Sequence, residues 1–238
     1  MTSEDRQIKV LENLESAKNY RKWMINLAEE TITPVTFELG SGLGVYGAEL
    51  LNRDLGSNLL ELHLSEIDPL ALQVLHYKFD NNSAVFIHDL NSTGLPEVNP
   101  TSFISWNVFE HIENDLEVLE KVNQLCVNDS RVFILVPAVH FGFSNFDLEI
   151  GHYRRYSRSE LVMKAKSAGF KDITVKYVNF TGIFTWIVFV KWLGIAPKDG
   201  FLLRFYDRFL VPLLERIEKF FSPPIGQSLV LIARTNKN

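Results

Sequence analysis

The stretch FELGSGLGVYG, residues 37–47, combines one carboxylate with closely spaced glycines. It follows an apolar pair typical of a strand and precedes a run typical of a helix. Glycines at such a junction let the backbone approach a ligand closely, and the start of the helix offers free N–H groups. Read from Gly42, the stretch is also a G-x-G-x-x-G dinucleotide fingerprint. The pattern predicts a nucleotide-binding loop and leaves the nucleotide open.

Glu38 bears on which nucleotide this loop binds. A carboxylate beside the glycines repels a pyrophosphate and attracts a cationic group. S-adenosylmethionine carries both an ammonium group and a sulfonium, so the spacing Glu38-x-Gly40-x-Gly42-x-Gly44 favours it over NAD. A surface carboxylate at a strand end is the alternative for Glu38, and an NAD-dependent oxidoreductase stays a competing hypothesis.

Acidic residues also follow the next two predicted strands. Glu66 ends the second strand, some two dozen residues past the glycines, where a carboxylate can bind a ribose diol. Asp68 precedes Pro69 and is predicted to cap the following helix. Asp89 follows the third strand and can meet an adenine amino group, or it is a turn residue.

The elements that position these residues alternate between strand and helix. Predicted strands are Val35–Leu39, Leu59–Ser65, Ala84–His88, Phe103–Trp106, Arg131–Val136, Ile173–Val178 and Ser228–Ala233. Predicted helices cover residues 5–29, the segment after Gly44, Pro69–Phe79, Asp115–Val127 and Ser159–Ala168, the last closed by Gly169. Strands joined by single helices indicate an α/β doubly wound, Rossmann-like sheet.

The chain is interpreted as a single domain, 1–238, with two additions. Its parts are an N-terminal helical region (1–33), a nucleotide-binding core (34–178), a helical, aromatic-rich insertion (179–227) and a last strand with its tail (228–238). The 238 residues suffice for one such domain.

Composition excludes several function classes. The net charge of −5 and the absence of a Lys/Arg run predict that the protein does not bind nucleic acid. Cys126 is the single cysteine, so an internal disulfide is impossible, which fits a reducing compartment. The charged N-terminus has no apolar core typical of a secretory signal. These features predict a cytoplasmic protein.

The most apolar run, Ile183–Ala196, contains Lys191 and is shorter than the roughly 20 residues that a membrane-spanning helix needs. It therefore predicts a buried or lid helix, with a peripheral membrane contact or a dimer contact as the alternatives. The oligomeric state is left open.

Together these motifs resemble the class I S-adenosylmethionine-dependent methyltransferases over nearly the whole chain. SFISWNVFEHIEND (102–115) is similar to the fourth-strand motif of that family and RVFILVPA to its fifth strand. FDLEIGHYRRYSRSEL (146–161) is similar to a bacterial, type 11/12-like branch with a GHYRRY signature, in which Asn-Tyr-x-x-Trp (from Asn19) and Pro-x-Gly-Gln-Ser (from Pro224) also recur.

The resemblance implies a seven-stranded sheet with a reversed last strand and S-adenosylmethionine as the cofactor. The cofactor-binding residues that it and the motifs indicate are Glu38, Gly40, Ser41, Gly42, Gly44, Glu66, Ile67, Asp89, Leu90 and Asn107.

Two groups could carry the chemistry. In the first, Glu110 and His111 follow the fourth strand, where His111 could take a proton from an acceptor hydroxyl or could merely line the pocket. Related ubiquinone-pathway O-methyltransferases have Glu-x-x-Glu-His here and can hold a divalent ion, but Asn107 replaces the first Glu. In the second, Asp147, Glu149 and His152 are spaced like metal ligands or order their own loop.

From these groups we assign His111 and His152 as catalytic candidates and no metal. Arg154, Arg155 and Tyr156 are assigned to an anionic acceptor, the alternative being an ion pair between an arginine and Asp147 or Glu149.

The sequence thus predicts a methyltransferase for a small-molecule or lipid/glycan-type acceptor, with oxygen as the methylated atom. An aromatic-rich insertion suits a partly hydrophobic acceptor, although the same rings could simply form the core under a cap: Trp186, Phe189, Trp192, Phe201, Phe205 and Tyr206. The alternative function is a cofactor-binding protein without transfer activity, in a regulatory or assembly role.

Overall fold

The computed structural model describes residues 16–53, 59–195 and 200–237, and its centre is one seven-stranded sheet. The strands are β1 (Val35–Leu39), β2 (Glu61–Glu66), β3 (Val85–Asp89), β4 (Ser102–Trp106), β5 (Arg131–Pro137), β6 (Lys171–Val178) and β7 (Ser228–Arg234). Their order is β3-β2-β1-β4-β5-β7-β6, and β7 runs antiparallel to both of its neighbours. The predicted doubly wound sheet with a reversed last strand is confirmed.

Helices connect the strands as the sequence indicates. The α-helices are α1 (Lys18–Ala28), α2 (Val45–Leu51), α3 (Pro69–Phe79), α4 (Leu90–Thr93), α5 (Asp115–Leu125), α6 (Asn145–Glu149), α7 (Arg158–Ser167), α8 (Phe180–Thr185), α9 (Phe201–Phe205) and α10 (Val211–Glu218). Within the described ranges, 3-10 turns cover Glu29–Thr31, Phe109–His111 and His140–Gly142, and π-helical turns cover Trp186–Trp192 and Tyr206–Leu210. The predicted start of the first helix lies outside the described residues.

Local signals explain where the central helices begin and end. Asp68 caps α3 by accepting hydrogen bonds from the next two free backbone N–H groups, and Pro69 occupies the first helical position, as predicted. Ser157 and Glu160 form a capping box at the start of α7. Gly169 follows α7 with a φ of +88°, a conformation that favours glycine.

Alternation along β5 shows how the sheet is covered on both faces. Val132, Ile134 and Val136 join the core cluster under α5 and α7, whereas Phe133 and Leu135 join the cluster under α1 and α10. Layers on both faces hold the strands rigidly, so the residues at the carboxyl ends of the parallel strands are fixed along one rim.

The insertion between β6 and β7 is helical in its described part, as predicted, and it is tied to the N-terminal helix. The buried Asp207 carboxylate accepts hydrogen bonds from the backbone N–H groups of Asn19 (3.0 Å) and Tyr20 (2.8 Å). At the base of the insertion, Asn179 donates a side-chain hydrogen bond of 2.8 Å to Gln227. In the part of the chain that the structure describes, no helix has the length and apolarity to cross a membrane.

Candidate functional site

The glycine loop leaves β1 and turns into α2 at the rim of the sheet. Gly40 and Gly44 have φ values of +67° and +72°, which residues with a Cβ rarely adopt. A Cβ on Gly40 would also lie 2.5 Å from Cγ2 of Val108, which follows β4. Ser41 fixes the loop to β2, because its backbone N–H donates to the Ser65 carbonyl at 2.8 Å. The loop is therefore shaped by its own backbone and closely packed against the β4 end.

Glu38 is the most unusual group of the loop. It is 0% exposed, and neither carboxylate oxygen has a hydrogen-bond partner among the described residues. Burial, together with the nearby charge of Glu66, raises the pKa of Glu38 to about 8. A buried carboxylate without a partner is costly. A cationic ligand group beside Glu38 would remove that cost.

Glu66 is buried at the end of β2 and holds the rim together. Its carboxylate accepts backbone N–H groups from Gly42 (2.7 Å), Ile67 (2.7 Å) and Asp68 (3.1 Å). A carboxylate offers about four lone-pair sites, so these bonds leave roughly one free. Binding a ribose diol through both oxygens therefore needs one of these N–H groups to give way, and this role of Glu66 stays a prediction.

β3 ends beside Glu66, and the residues that follow β2 and β3 line an open part of the rim of the sheet. Ile67 is 59% exposed, although it is apolar and lies at the rim. Asp89 caps the short helix α4 through the Asn91 backbone N–H at 2.9 Å, the local role that was its alternative. Leu90 packs partly against the core. An exposed apolar side chain beside these polar groups suits one face of a planar base, and the adenine contacts remain predicted.

The end of β4 lies directly beside the glycine loop, because β4 pairs with β1. Asn107 is exposed there with a φ of +53°, and its backbone N–H donates to the Leu135 carbonyl at 2.8 Å. Asparagine tolerates this left-handed conformation better than most residues. Asn107 thus shapes the turn that presents the next residues, Phe109–His111, to the rim.

Two histidines that are far apart in the sequence meet next to Glu110. The rings of His111 and His152 stand edge to face, with centroids 4.5 Å apart. His152 Nε2 lies 3.9 Å from Glu110 Oε1. Glu110 is 1% exposed, and its oxygens have no hydrogen-bond partner within the described ranges. Burial raises the pKa of Glu110 to about 8, and burial with the His152 charge lowers the pKa of His111 to about 4.

Asp147 organises the loop that carries His152. Its fully buried carboxylate accepts the Ser144 backbone N–H (2.8 Å), contacts His152 Nδ1 (2.9 Å) and pairs with Arg155 Nη2 (2.8 Å). Burial alone would raise the pKa of Asp147, but the bonds from His152 and Arg155 outweigh it and lower the value to about 2. The Arg155 guanidinium also stacks on Trp186 of the insertion, 4.3 Å from the ring centroid.

The residues assigned to the acceptor mostly point elsewhere. Arg155 is 2% exposed and Tyr156 is buried, and the Tyr156 hydroxyl donates to Asp115 at 2.7 Å. Arg154 also pairs with Asp115, at 2.9 Å, and remains partly exposed. The structure therefore favours the ion-pair alternative for Arg155, with Asp147 as the partner. Tyr156, by its hydrogen bond, and Arg154, by its ion pair, hold the loop against Asp115 at the start of α5.

Two partly buried tyrosines lie close to the site, although the sequence analysis assigned neither of them a role there. Tyr46 is the second residue of α2, and its ring stacks on Trp106 with centroids 4.4 Å apart. Burial raises the pKa of Tyr46, and Glu38 is among the nearby charges that act in the same direction. Burial raises the pKa of Tyr20 to about 12, and Glu110 is among the charges that act on it. Tyr46 lies two residues after Gly44, and this closeness to the glycine loop is the sequence signal that could have assigned it to the site.

Comparisons with known proteins relate this fold to solved structures. No protein-family model matches the sequence, and no curated protein matches it. A SAM-dependent methyltransferase from Archaeoglobus fulgidus superposes with a TM-score of 0.58 at 15% identity, covering 90% of this chain and 92% of that one. Human N-acetylserotonin methyltransferase in complex with SAM gives 0.59 at 13% identity, covering 98% and 57%. The CurJ carbon methyltransferase gives 0.54 at 14% identity, covering 87% and 50%.

At identities this low, the comparisons establish the fold alone. The chain has the seven-stranded α/β fold of the class I methyltransferases, in agreement with the sequence resemblance. It spans about half the length of the CurJ structure and somewhat more of the human one. Two of these neighbours, a carbon methyltransferase and an N-acetylserotonin methyltransferase, differ in their acceptors, so the acceptor of this chain has to be argued from its own residues.

Proposed function

We propose that the protein is an S-adenosylmethionine-dependent methyltransferase that methylates oxygen on a small-molecule or lipid-linked acceptor. The observation that carries the proposal is the buried, unpartnered carboxylate of Glu38 beside the glycine loop. A cofactor with an ammonium group and a sulfonium supplies the missing positive charge, whereas the pyrophosphate of a dinucleotide would add a second negative charge. Glu38 therefore supports this cofactor against NAD.

The remaining rim residues fit the other parts of the same cofactor. Glu66 lies at the β2 end, where its remaining lone pair can accept a hydrogen bond from one ribose hydroxyl. Ile67 offers an exposed apolar surface to the adenine. Asp89 and Leu90 follow β3 at the far side of that surface. When bound, the cofactor supplies an electrophilic methyl group, and the protein has to hold the acceptor in line with it and exclude water.

Methylation at oxygen is supported by the groups next to the β4 end. Transfer of a methyl group to a hydroxyl forms an O–C bond and releases the hydroxyl proton. Glu110, His111 and His152 form a polar cluster after the β4 end, and a partly buried cluster of this type can assist the loss of that proton. Nitrogen acceptors that are already neutral need no such assistance.

The insertion supports a lipid-type acceptor. An apolar cavity of about 380 Å³ opens between the insertion and the loop after β5, and it is lined by Phe141, Phe184, Ile187, Val188, Lys191 and Trp192. Its volume falls within the range of small-molecule pockets. Phe201, Phe205 and Phe209 form a second exposed row, the aromatic ladder, with ring centroids 6.1 Å and 5.0 Å apart.

Charge on the insertion points to an anionic lipid surface. In its described part, the basic residues are all exposed: Lys191, Arg204, Arg208, Arg216 and Lys219. The acidic residues there are buried or half-buried: Asp207, Glu215 and Glu218. Aromatic rings beside exposed cations are typical of segments that lie in a membrane interface. We propose that this face contacts the membrane that carries the acceptor.

Calorimetry and thermal unfolding test the cofactor. S-adenosylmethionine and S-adenosylhomocysteine are expected to bind with micromolar affinity and to raise the melting temperature by mass action, whereas NADH is expected not to bind. Binding of NADH alone would overturn the proposal. Labelled S-adenosylmethionine, incubated with cell extracts as the source of acceptor, separates transfer from binding without transfer. Label that never leaves the cofactor in aqueous and lipid extracts would favour the regulatory alternative.

Vesicle sedimentation tests the membrane contact. The protein is expected to bind anionic vesicles more tightly than neutral ones, and Phe201→Ser with Phe209→Ser should weaken binding about tenfold or more, because a buried Phe contributes about 1.5–3 kcal/mol. Tyr77→Ser is the matched control, since Tyr77 is a 91% exposed aromatic residue on α3. Equal binding by all three proteins, or no preference for anionic vesicles, would contradict the proposal.

A further inference from the structure

The fold brings together two groups of residues that the sequence analysis treated as separate. Glu110 and His111 belong to the turn after β4, whereas His152 belongs to the loop after α6. One carboxylate oxygen and one nitrogen from each ring all lie within 4.8 Å of one another. Two imidazoles and a carboxylate at such distances are a common ligand set of catalytic metal ions.

We propose that Glu110, His111 and His152 bind one divalent transition-metal ion, with Zn²⁺ as the representative. Imidazole suits zinc, iron and related ions, whereas Mg²⁺ and Ca²⁺ prefer oxygen ligands alone. Three protein ligands leave at least one coordination position open, which is the arrangement of a catalytic rather than a structural site.

The second nitrogen of the His152 ring is held as a metal-binding histidine requires. Asp147 contacts Nδ1 at 2.9 Å, which leaves Nε2 facing Glu110. His111 has a hydrogen bond to the Gly151 backbone. Metal-ligating histidines nearly always have such a partner, because it fixes the tautomer and the orientation of the ring. If the two rings only filled space, their tautomers and orientations would not have to be fixed by Asp147 and Gly151.

The carboxylate of Glu110 provides independent support. It is 1% exposed and has no hydrogen-bond partner in the described part of the chain. Because a buried carboxylate without a partner is costly, a bound cation would stabilise it strongly. In a tetrahedral site with bonds of about 2.0–2.1 Å, neighbouring ligand atoms lie roughly 3.3 Å apart. His152 Nε2 and Glu110 Oε1 are 3.9 Å apart, so side-chain shifts of a few tenths of an ångström would bring this pair to that spacing.

The site deepens the proposed function and rests on it for its biological role. An acceptor hydroxyl placed at the open position would present its oxygen to the ion, which favours loss of the hydroxyl proton to solvent. The oxygen could then form the new bond to the methyl carbon as the bond from that carbon to sulfur breaks. The ion thus selects hydroxyl-bearing acceptors. It also leaves His111 and His152 as ligands instead of bases.

Metal titration of the chelator-treated full chain is the test. Calorimetry with Zn²⁺ and elemental analysis after dialysis are expected to give one ion per chain. His152→Ala and Glu110→Gln should each weaken Zn²⁺ binding by about 100-fold or more, since losing an outer-shell partner alone costs about 10–100-fold. His76→Ala is the matched control, because His76 is an exposed histidine paired with Asp80 on α3, and it should bind Zn²⁺ like the wild type.

Each other outcome has a defined meaning. Wild-type protein that retains no ion, or that binds Zn²⁺ equally well after Glu110→Gln, overturns the metal site. Glu110→Gln keeps the shape of the side chain and removes a buried charge, so a folding defect is not expected to obscure the result. Asp147→Asn should lower the affinity about 10–100-fold as an outer-shell change. S-adenosylmethionine binding is measured separately. A protein that binds Zn²⁺ but not S-adenosylmethionine refutes the proposed function alone, and a protein that binds S-adenosylmethionine but not Zn²⁺ refutes the metal site alone.

Discussion

Glu38→Gln is expected to weaken S-adenosylmethionine binding about 10- to 150-fold, because a hydrogen bond to a charged group contributes about 1.5–3 kcal/mol. Glutamine keeps the size of the side chain but cannot supply the negative charge that the cationic end of the cofactor needs. Isothermal calorimetry on both proteins measures the change. Glu120→Gln, which removes an exposed carboxylate on α5, is the control and should bind like the wild type.

The same substitution is expected to stabilise the cofactor-free protein, which separates a ligand role from a structural one. The pKa of Glu38 is about 8 in the folded state, whereas glutamate in an unfolded chain has a pKa of about 4.3. The folded state therefore binds more protons between these values, and its free energy of unfolding falls as the pH rises through that window. The cost is absent below about pH 4 and complete above about pH 8.

Denaturant unfolding at pH 5 and pH 8.5 tests this sign. Relative to wild type, Glu38→Gln should gain roughly 2–5 kcal/mol of stability between these two pH values, from about 1.4 kcal/mol for each unit of pKa shift. Other titrating groups are common to both proteins and cancel in the difference. A variant that loses stability at pH 8.5 would mean that Glu38 has a partner in the cofactor-free protein, and the charge argument for the cofactor would fail.

Arg155→Ala is expected to lower the free energy of unfolding by about 3–5 kcal/mol, because it leaves the buried Asp147 carboxylate without its cation. For a chain of this size the melting temperature should fall by roughly 6–20 °C. Loss of the stacking contact with Trp186 adds to the effect. Differential scanning calorimetry at neutral pH measures it.

The neighbouring Arg154→Ala is the matched control for this prediction. Arg154 is partly exposed, and its partner Asp115 keeps a second cation, Lys164, at 2.6 Å. Its loss should therefore cost about 1 kcal/mol or less. If Arg155→Ala melts like the wild type and instead reduces methyl transfer alone, then Arg155 binds the acceptor, as the sequence analysis first assigned it, and the ion pair is dispensable.

Most of the fold could be predicted because its signals are local. The predicted boundaries of β1 and α3 are the observed ones, since β1 begins with the β-branched residues Val35 and Thr36 and α3 begins with an Asp-Pro cap. The short α4 and α6 were missed because four or five residues are too few to show helical periodicity. Each of the other strands differs from its prediction by one or two residues at one end or both, and in β2, β3, β6 and β7 a charged residue extends the strand beyond its apolar run.

The candidate site could be predicted only for residues that lie at the carboxyl ends of the parallel strands. Glu38, the glycines and Glu66 could be assigned to one site because they lie at or just after the ends of two consecutive parallel strands, and their role in binding the cofactor stays a prediction. The meeting of His111 with His152 depends on a loop that returns across the rim, and no local pattern encodes that path. Likewise, Arg155 was assigned to an acceptor because sequence does not tell whether a carboxylate eight residues earlier turns inward to meet it.

The position of β7 has a consequence for how the chain folds. β7 lies between β5 and β6 and pairs with both of them. Neither strand can therefore complete its pairing until Ser228–Arg234 has emerged from the ribosome. Until then, β6 has no partner strand and one edge of β5 is unpaired. The contacts that close the sheet join β7 to β5 residues about 90–100 positions earlier and to β6 residues about 50–60 positions earlier. Such late, non-local pairing slows folding and favours aggregation of the incomplete chain. Removal of β7 should therefore leave a nascent chain that depends on chaperones, even though the glycine loop and its carboxylates are already synthesised.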